Sequence, residues 1–372
     1  MIQHERLTGL LTDMVNMYSP SGKEAQITSY LSDYLMGYDL PVTLRPVTEG
    51  RMNIEVSIDP NPEVAFLGHV DTVPAFDIDD YEAHAEHEIL HGLGTADMKG
   101  GCAAMIEAFV AAHESGKLPA KAALYLVVGE EETGDGTQAL LESTHFPWAI
   151  VAEPTNLVPC LQHYGYVEML IQTAGRRRHA AMAGREYNAI MNLLETLGNV
   201  TETMETDHPD AVFNIRSVHS SESGFAVPGS CEAWVDFHIP PHVDVRTFSE
   251  KMKSIAEAGF QKSTLTHSHV DFPLLAAGYD LPEEGNLVGI LKEVFAAHEM
   301  KWQHGSFRSH SDANLLREIG CSPIMLGPGD LARAHTREEC IPLAQVSMAA
   351  ELYHDILLGM SGTDDDRENR IP

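Results

Sequence analysis

Three short clusters of acids, histidines and glycines stand out because each can hold a cation or move a proton. In Gly68-His69-Val70-Asp71 an apolar run has just ended, and an extended backbone points His69 and Asp71, two apart, to the same side. An aspartate so placed can orient an imidazole that binds metal. Gly92-Leu93-Gly94-Thr95-Ala96-Asp97-Met98-Lys99-Gly100-Gly101 lacks the GxxxxGK(S/T) spacing of a phosphate loop and puts an acid where phosphate would be repelled. Asp97 therefore suits a cation or a helix N-cap. Glu130-Glu131-Glu132-Thr133-Gly134 ends the most apolar run of the chain. Adjacent carboxylates at a buried strand end repel one another, and burial raises their pKa values unless a cation offsets both effects. A glycosidase pair fits poorly, because those two carboxyls must flank a bond from opposite sides.

Two further residues complete the set: Glu153 in Ala152-Glu153-Pro154, and His335 in a late glycine-rich loop. With His69, Asp97 and Glu132 they form a mixed nitrogen and oxygen donor set suited to two zinc ions, or to cobalt or manganese. Two divalent ions balance three carboxylates and one hydroxide. One carboxylate is then left over beside the ions, available as a general base.

These residues need rigid elements beneath them. Apolar spacing predicts helices over 4–18 and 23–37, separated by Ser19-Pro20-Ser21-Gly22. The runs Val64 to Leu67, Leu124 to Val128 and Ala149 to Ala152, with a helix from Cys102 to Glu114 between them, predict an α/β catalytic domain with a mostly parallel sheet and helices on both faces. Ligands of such sheets bind beyond the carboxyl ends of the strands, where the suspect residues fall. From about residue 164 the pattern changes to strand (166–173), helix (188–197), two strands (211–218 and 231–239), helix (245–258) and strand (264–272). That βαββαβ order predicts an inserted ferredoxin-like α+β domain over 164–275. The catalytic domain then comprises 1–163 and 276–360, and 361–372 reads as a disordered tail.

Composition removes competing classes. Lysine and arginine number 24 against 55 aspartate and glutamate, a formal net charge of −31, so the positive field that nucleic-acid binding requires is missing. Such acidity can solvate a surface in salty surroundings. The five cysteines, an odd number without a C-x-x-C pair, fit buried thiols in a reducing compartment. The N-terminal residues do not read as a signal peptide and no apolar run is long enough to span a membrane, so the expected location is cytoplasmic.

The motifs Gly68-His69-Val70-Asp71-Thr72-Val73-Pro74, Gly-x-Gly-x-x-Asp97-Met98-Lys99-Gly100-Gly101, Glu131-Glu132-x-Gly134, Glu153-Pro154-Thr155 and Ala334-His335-Thr336 resemble, in order, those of the dinuclear zinc aminoacylase and carboxypeptidase family. Acetylornithine deacetylase, succinyl-diaminopimelate desuccinylase and acetyl-lysine deacetylases belong to it. The resemblance spans residues 5 to about 359. It implies that His69, Asp97 and Glu153 bind one metal and Asp97, Glu132 and His335 the other, with Asp97 bridging. It also implies that Asp71 orients His69, that a cis peptide follows Asp97, and that Glu131 takes a proton from a metal-bridging water and hands it to the leaving amine. The inserted domain resembles the family's dimerisation lid. By that resemblance His179, with Asn188-Ala189-Ile190, reaches a partner's active site in a homodimer and stabilises the oxyanion.

Several lid positions depart from the family pattern. Ala183 and Glu186 replace a proline and a glycine, and Ala226-Val227-Pro228 and Asp236-Phe237-His238 replace the Asn-x-x-Pro and Asp-x-Arg whose Asn and Arg hold a substrate carboxylate. Arg308 and His238 are the candidate substitutes, and Arg176 to Arg178 can ion-pair with the acidic surface. The resulting expectation is a metal-dependent amidohydrolase that removes an acyl group from an N-acyl amino acid. A dipeptidase or carboxypeptidase of the same family, or a non-catalytic metal-binding relative, are the alternatives.

Overall fold

The apolar runs that precede His69, Glu130 and Glu153 are strands, Val64–His69, Ala122–Val127 and Trp148–Val151. The first two are buried throughout, as strands covered on both faces must be. In this computed structural model, which describes all residues except 49, 76–80, 185–186, 222–223, 261–267 and 362–372, the strands pair in parallel. Ser322–Met325 extends the parallel set beside Trp148–Val151. On the far side the antiparallel hairpin Val42–Thr48 and Arg51–Ser57 joins through Ala122–Val127. The central sheet is thus mostly parallel with antiparallel margins.

Helices supply the cover. Helix Gly100–Glu114 is buried along most of its length and packs on the sheet beside helix Leu343–Ser361, where Phe66 meets Phe109 and Tyr353 edge-on at 5.3 and 6.0 Å. Gly101 permits that approach, since a Cβ there would stand 2.3 Å from the Ala152 carbonyl oxygen. Helices His4–Asn16 and Ala25–Gly37 bury Leu7, Leu10, Leu11 and Met14, and Ile27, Leu31 and Leu35, as their spacing predicts.

The chain divides into two compact units, one of Met1–Leu161, Leu281–Phe307 and Ser311–Pro372, the other of Gln162–Asp280 and Arg308–His310. The second unit runs strand Gly165–Ala174, helix Ala189–Asp207, strands Val212–Ser220 and Ser230–Ile239, helix Val245–Phe260 and strand His269–Ala276. Its four strands form an antiparallel sheet whose buried face, with Val167, Met169 and Ile171 alternating, packs on Leu193, Leu197, Phe248 and Met252 of the helices. The unit extends beyond the expected 164–275 because Gln162 and His163 pair with Asp280 and Tyr279, and because His310 packs 5.2 Å from the Tyr166 ring.

Other expectations shift in detail. Ser361 ends the last helix and so is not part of a tail. The remainder of that tail, Glu186 and the start of the strand expected from Thr264 lie outside the described residues. Strands His84–Glu86, Ile89–His91 and Cys340–Pro342 form a small separate sheet, too short to leave a periodic signal in the sequence. The cysteines are free, four of them buried and Cys340 half-buried. No helix among the described residues is long and apolar enough to cross a membrane.

Charge is distributed unevenly across this scaffold. Arg6 is committed to the buried Glu107 at 2.7 Å, and Arg51 to the buried Glu24 at 2.7 Å and to Asp135. With cations so engaged, the excess of 55 acids over 24 bases is left largely to repel itself. Salt shortens the screening length from about 10 Å at 0.1 M to about 3 Å at 1 M. Raising KCl from 0.1 to 2 M is therefore expected to raise the melting temperature by at least about 3 °C. A flat or falling melting temperature would show that self-repulsion costs the fold little.

Candidate metal centre

Parallel register brings the first donors together: His69 lies opposite Val127 and Leu67 opposite Val151, so the three strands end side by side. Past Val127 the chain turns at Gly129, whose φ of 78° suits a residue without a Cβ, and the glutamates follow. Asp97 arrives on the turn before helix Gly100–Glu114, with a cis peptide to Met98, and His335 on a loop at φ 59°.

The geometry has Asp97 at its centre. One of its carboxylate oxygens lies 3.2 Å from His69 Nε2 and the other 3.4 Å from His335 Nε2. Glu153 stands 3.7 Å and Glu130 3.8 Å from His69 Nε2, and Glu131 3.0 Å from His335 Nε2. Donor atoms of His69, Asp97 and Glu153 lie within 4.8 Å of one another, and so do those of Asp97, Glu131 and His335. Both groups fit a divalent transition metal by donor type.

The electrostatics point the same way. Burial, reinforced by neighbouring acids, lifts the carboxyls of Glu130, Glu131 and Glu153 above their ordinary range. Burial would lift Asp97 as well, but hydrogen bonds to His335 and His69 hold it below the usual value. Burial lowers His69 and His335, yet contacts with Asp97 and the surrounding glutamates outweigh it, raising His69 well above its usual value and His335 to about 11. Four carboxylates thus surround two imidazoles, a cluster in need of more positive charge than the protein supplies.

Of the residues expected from sequence, His69, Asp97, Glu153 and His335 come together. Glu132 requires correction. Its side chain is exposed and joins neither group, and Glu131 occupies the place expected of it. The cause is the turn at Gly129, after which the first two acids, not the second and third, enter the site. Asp71 lies beside His69 and makes further contacts. His69 Nδ1 is bonded at 3.0 Å to the backbone carbonyl of Asp71, while the carboxylate, 3.6 Å from that nitrogen, accepts the backbone N–H groups of Glu130 (3.3 Å) and Glu131 (3.1 Å) and the Ser21 hydroxyl. It therefore orders the acidic loop. Glu130 is the functional candidate that reading the motif missed. The available signal was its position directly after the strand-ending glycine.

The other candidates belong to the second unit. His179 is exposed, and its Nδ1 accepts the Ala181 N–H at 3.2 Å. Arg308 is exposed, its guanidinium 5.7 Å from the centre of the Tyr164 ring, and Arg178 stacks 3.7 Å over Tyr187. His238 packs 5.2 Å from Tyr166 with its Nδ1 buried and unbonded, and burial lowers its pKa.

Known proteins resemble this chain over most of its length. The sequence model of peptidase family M20/M25/M40 matches residues 65–359. An acetylornithine deacetylase of Photorhabdus laumondii is 24% identical over 351 residues, covering 89% of this chain and 88% of its own. A chain of Pyrobaculum aerophilum named as a LysW-lysine/LysW-ornithine hydrolase is 28% identical over 346 residues, covering 92% and 94%. In structure, a tripeptidase of Staphylococcus aureus superposes with a TM-score of 0.79 at 18% identity, over 97% of this chain and 99% of that one, a likeness of fold.

The two glutamate registers are separable by experiment. Saturating zinc is expected to raise the melting temperature of the parent and of Glu132→Ala equally, since a hundredfold excess over Kd stabilises by about 2.7 kcal/mol per site. Glu131→Ala should show a clearly smaller rise. The reverse pattern would return the ligand role to Glu132.

Proposed function

The chain belongs to peptidase family M20/M25/M40 and is a hydrolase of that family, and from this premise we propose that it cleaves a linear amide using two divalent cations, removing the acyl group from an N-acyl amino acid. The observation that carries the reading is the pair of donor groups sharing Asp97, with one more buried carboxylate, Glu130, beside them and in neither group. His69, Asp97 and Glu153 would hold one ion and Asp97, Glu131 and His335 the other. Zinc is the proposed metal, and cobalt or manganese suit the same donors. Bound there, such ions supply Lewis acidity toward a carbonyl oxygen and make water acidic enough to attack near neutral pH.

The remaining roles fall to side chains. Glu130, 3.8 Å from His69 Nε2 and in neither donor group, is the proposed general base: it accepts a proton from the attacking water and delivers it to the departing amine. Asp71 keeps that carboxyl in place through the backbone of residues 130 and 131. His179 remains the proposed oxyanion donor, contributed by the second copy of a homodimer. Because its Nδ1 accepts a backbone N–H, the ring proton sits on Nε2, free to donate. Apolar residues exposed on the second unit favour such pairing: Met191 and Leu194 on its first helix, and Val212, Ile215 and Val218 on the edge strand Val212–Ser220. Arg308 is the proposed partner of a substrate carboxylate.

The acyl amino acid assignment draws on the relatives named acetylornithine deacetylase and on Glu153, where a glutamate leans the motif toward deacylases. Zinc- or cobalt-loaded protein is expected to release the acid from N-acetyl or N-succinyl amino acids. Cleavage of dipeptides alone would move the protein among the peptidases, and metal uptake with no amide cleaved would leave a binding protein. Glu130→Gln should keep both metals and lower kcat by roughly 10²- to 10⁴-fold. Retained turnover in that variant would return the base to Glu131.

His179→Ala should likewise keep its metals and lose about 10²- to 10³-fold in kcat, with a dimeric mass in sedimentation. Unchanged turnover would remove His179 from the mechanism.

A further inference from the structure

Asp97 is shared by both donor groups, so the placement of its backbone sets how the two stand to each other. The turn that carries it is gripped from two sides. On one, the buried Lys99 Nζ donates to the carbonyls of Met14 (3.0 Å) and Met17 (2.9 Å) at the end of helix His4–Asn16. On the other, Glu339 Oε1 accepts the backbone N–H groups of Ala96 (3.0 Å) and Asp97 (3.1 Å), while the Glu339 carbonyl accepts the N–H of Gly92 at 3.2 Å. Glu339 is only 3% exposed, too deep for a carboxylate that merely solvates a surface.

The same residue is tied to His335. Glu339 lies four positions after it, and its N–H donates to the Thr336 carbonyl at 3.2 Å, closing the turn between them. One side chain therefore fastens the segment of His335 to the segment of Asp97, two members of one donor group that are far apart in sequence. One side-chain oxygen accepting two backbone N–H groups fixes where both of them stand.

Resting on the reading above, we infer that Glu339 is a positioning residue of the second metal subsite: its oxygen sets the spacing between Asp97 and His335, and through it the affinity of the Asp97, Glu131 and His335 group for its ion. It touches no ion itself. The reach of the side chain matters more than its charge, because the accepting oxygen must arrive at two particular N–H groups.

Zinc titration against a chromophoric chelator, run below each variant's melting midpoint, separates the possibilities. The parent should bind two equivalents. Glu339→Gln, which keeps the length and an accepting oxygen, should hold both within about threefold of the parent. Glu339→Asp, which keeps the charge but withdraws the oxygen, should bind one equivalent at least tenfold more weakly, in the range of losses of about 10- to 100-fold known for groups that support metal ligands. When Glu339→Asp is added to His335→Ala, the equivalent that remains should be held with unchanged affinity. Equal affinities in the parent and Glu339→Asp, an equal loss in both variants, or a weakened remaining equivalent in the double variant would each overturn the positioning role. A parent that takes up a single equivalent would sink the two-metal reading itself, a result distinct from these.

Discussion

Buried carboxylates crowded around too little positive charge are the constraint on which this structure turns. Asp97, Glu130, Glu131 and Glu153 gather at the ends of three parallel strands, with His69 and His335 as the basic groups in contact with them. Taking such groups from water is costly unless they are paired. Part of that cost is offset by bonds to the imidazoles, whose affinity for protons rises in response. Divalent cations would offset the rest, and this is why the cluster reads as a metal centre and not as an acidic loop.

A crowded site is useful only if its members cannot drift apart. Much of the surrounding hydrogen bonding serves that end. Asp71 holds the peptide groups of Glu130 and Glu131, Lys99 anchors the Asp97 turn to the first helix, and Glu339 grips it from the opposite side. These contacts join segments up to 243 residues apart in the chain, so the centre exists only in the folded molecule. The central sheet supplies the fixed points. Its strands are buried on both faces, and Gly101 lets the helix after Asp97 lie against the loop that carries Glu153.

The second unit meets a different requirement. Its sheet buries one face against two helices and leaves an edge strand with apolar side chains exposed. It also carries His238, whose pKa burial lowers, so that the charged imidazole is disfavoured there.

Sequence alone was enough to identify the parallel strands that precede the suspect residues and the order of elements in the second unit. Each of these follows from local pattern: apolar runs with polar ends, a spacing of two on an extended chain, and helical periodicity. It was not enough to say which of three adjacent glutamates enters the site, since that depends on how the chain turns at Gly129 and on Asp71 capturing two peptide N–H groups from a neighbouring strand end. Nor did it show that Asp71 accepts peptide N–H groups of the acidic loop, or that Glu339 and Lys99 hold the turn that carries Asp97. Those facts depend on distances between segments remote in sequence, which only tertiary packing sets.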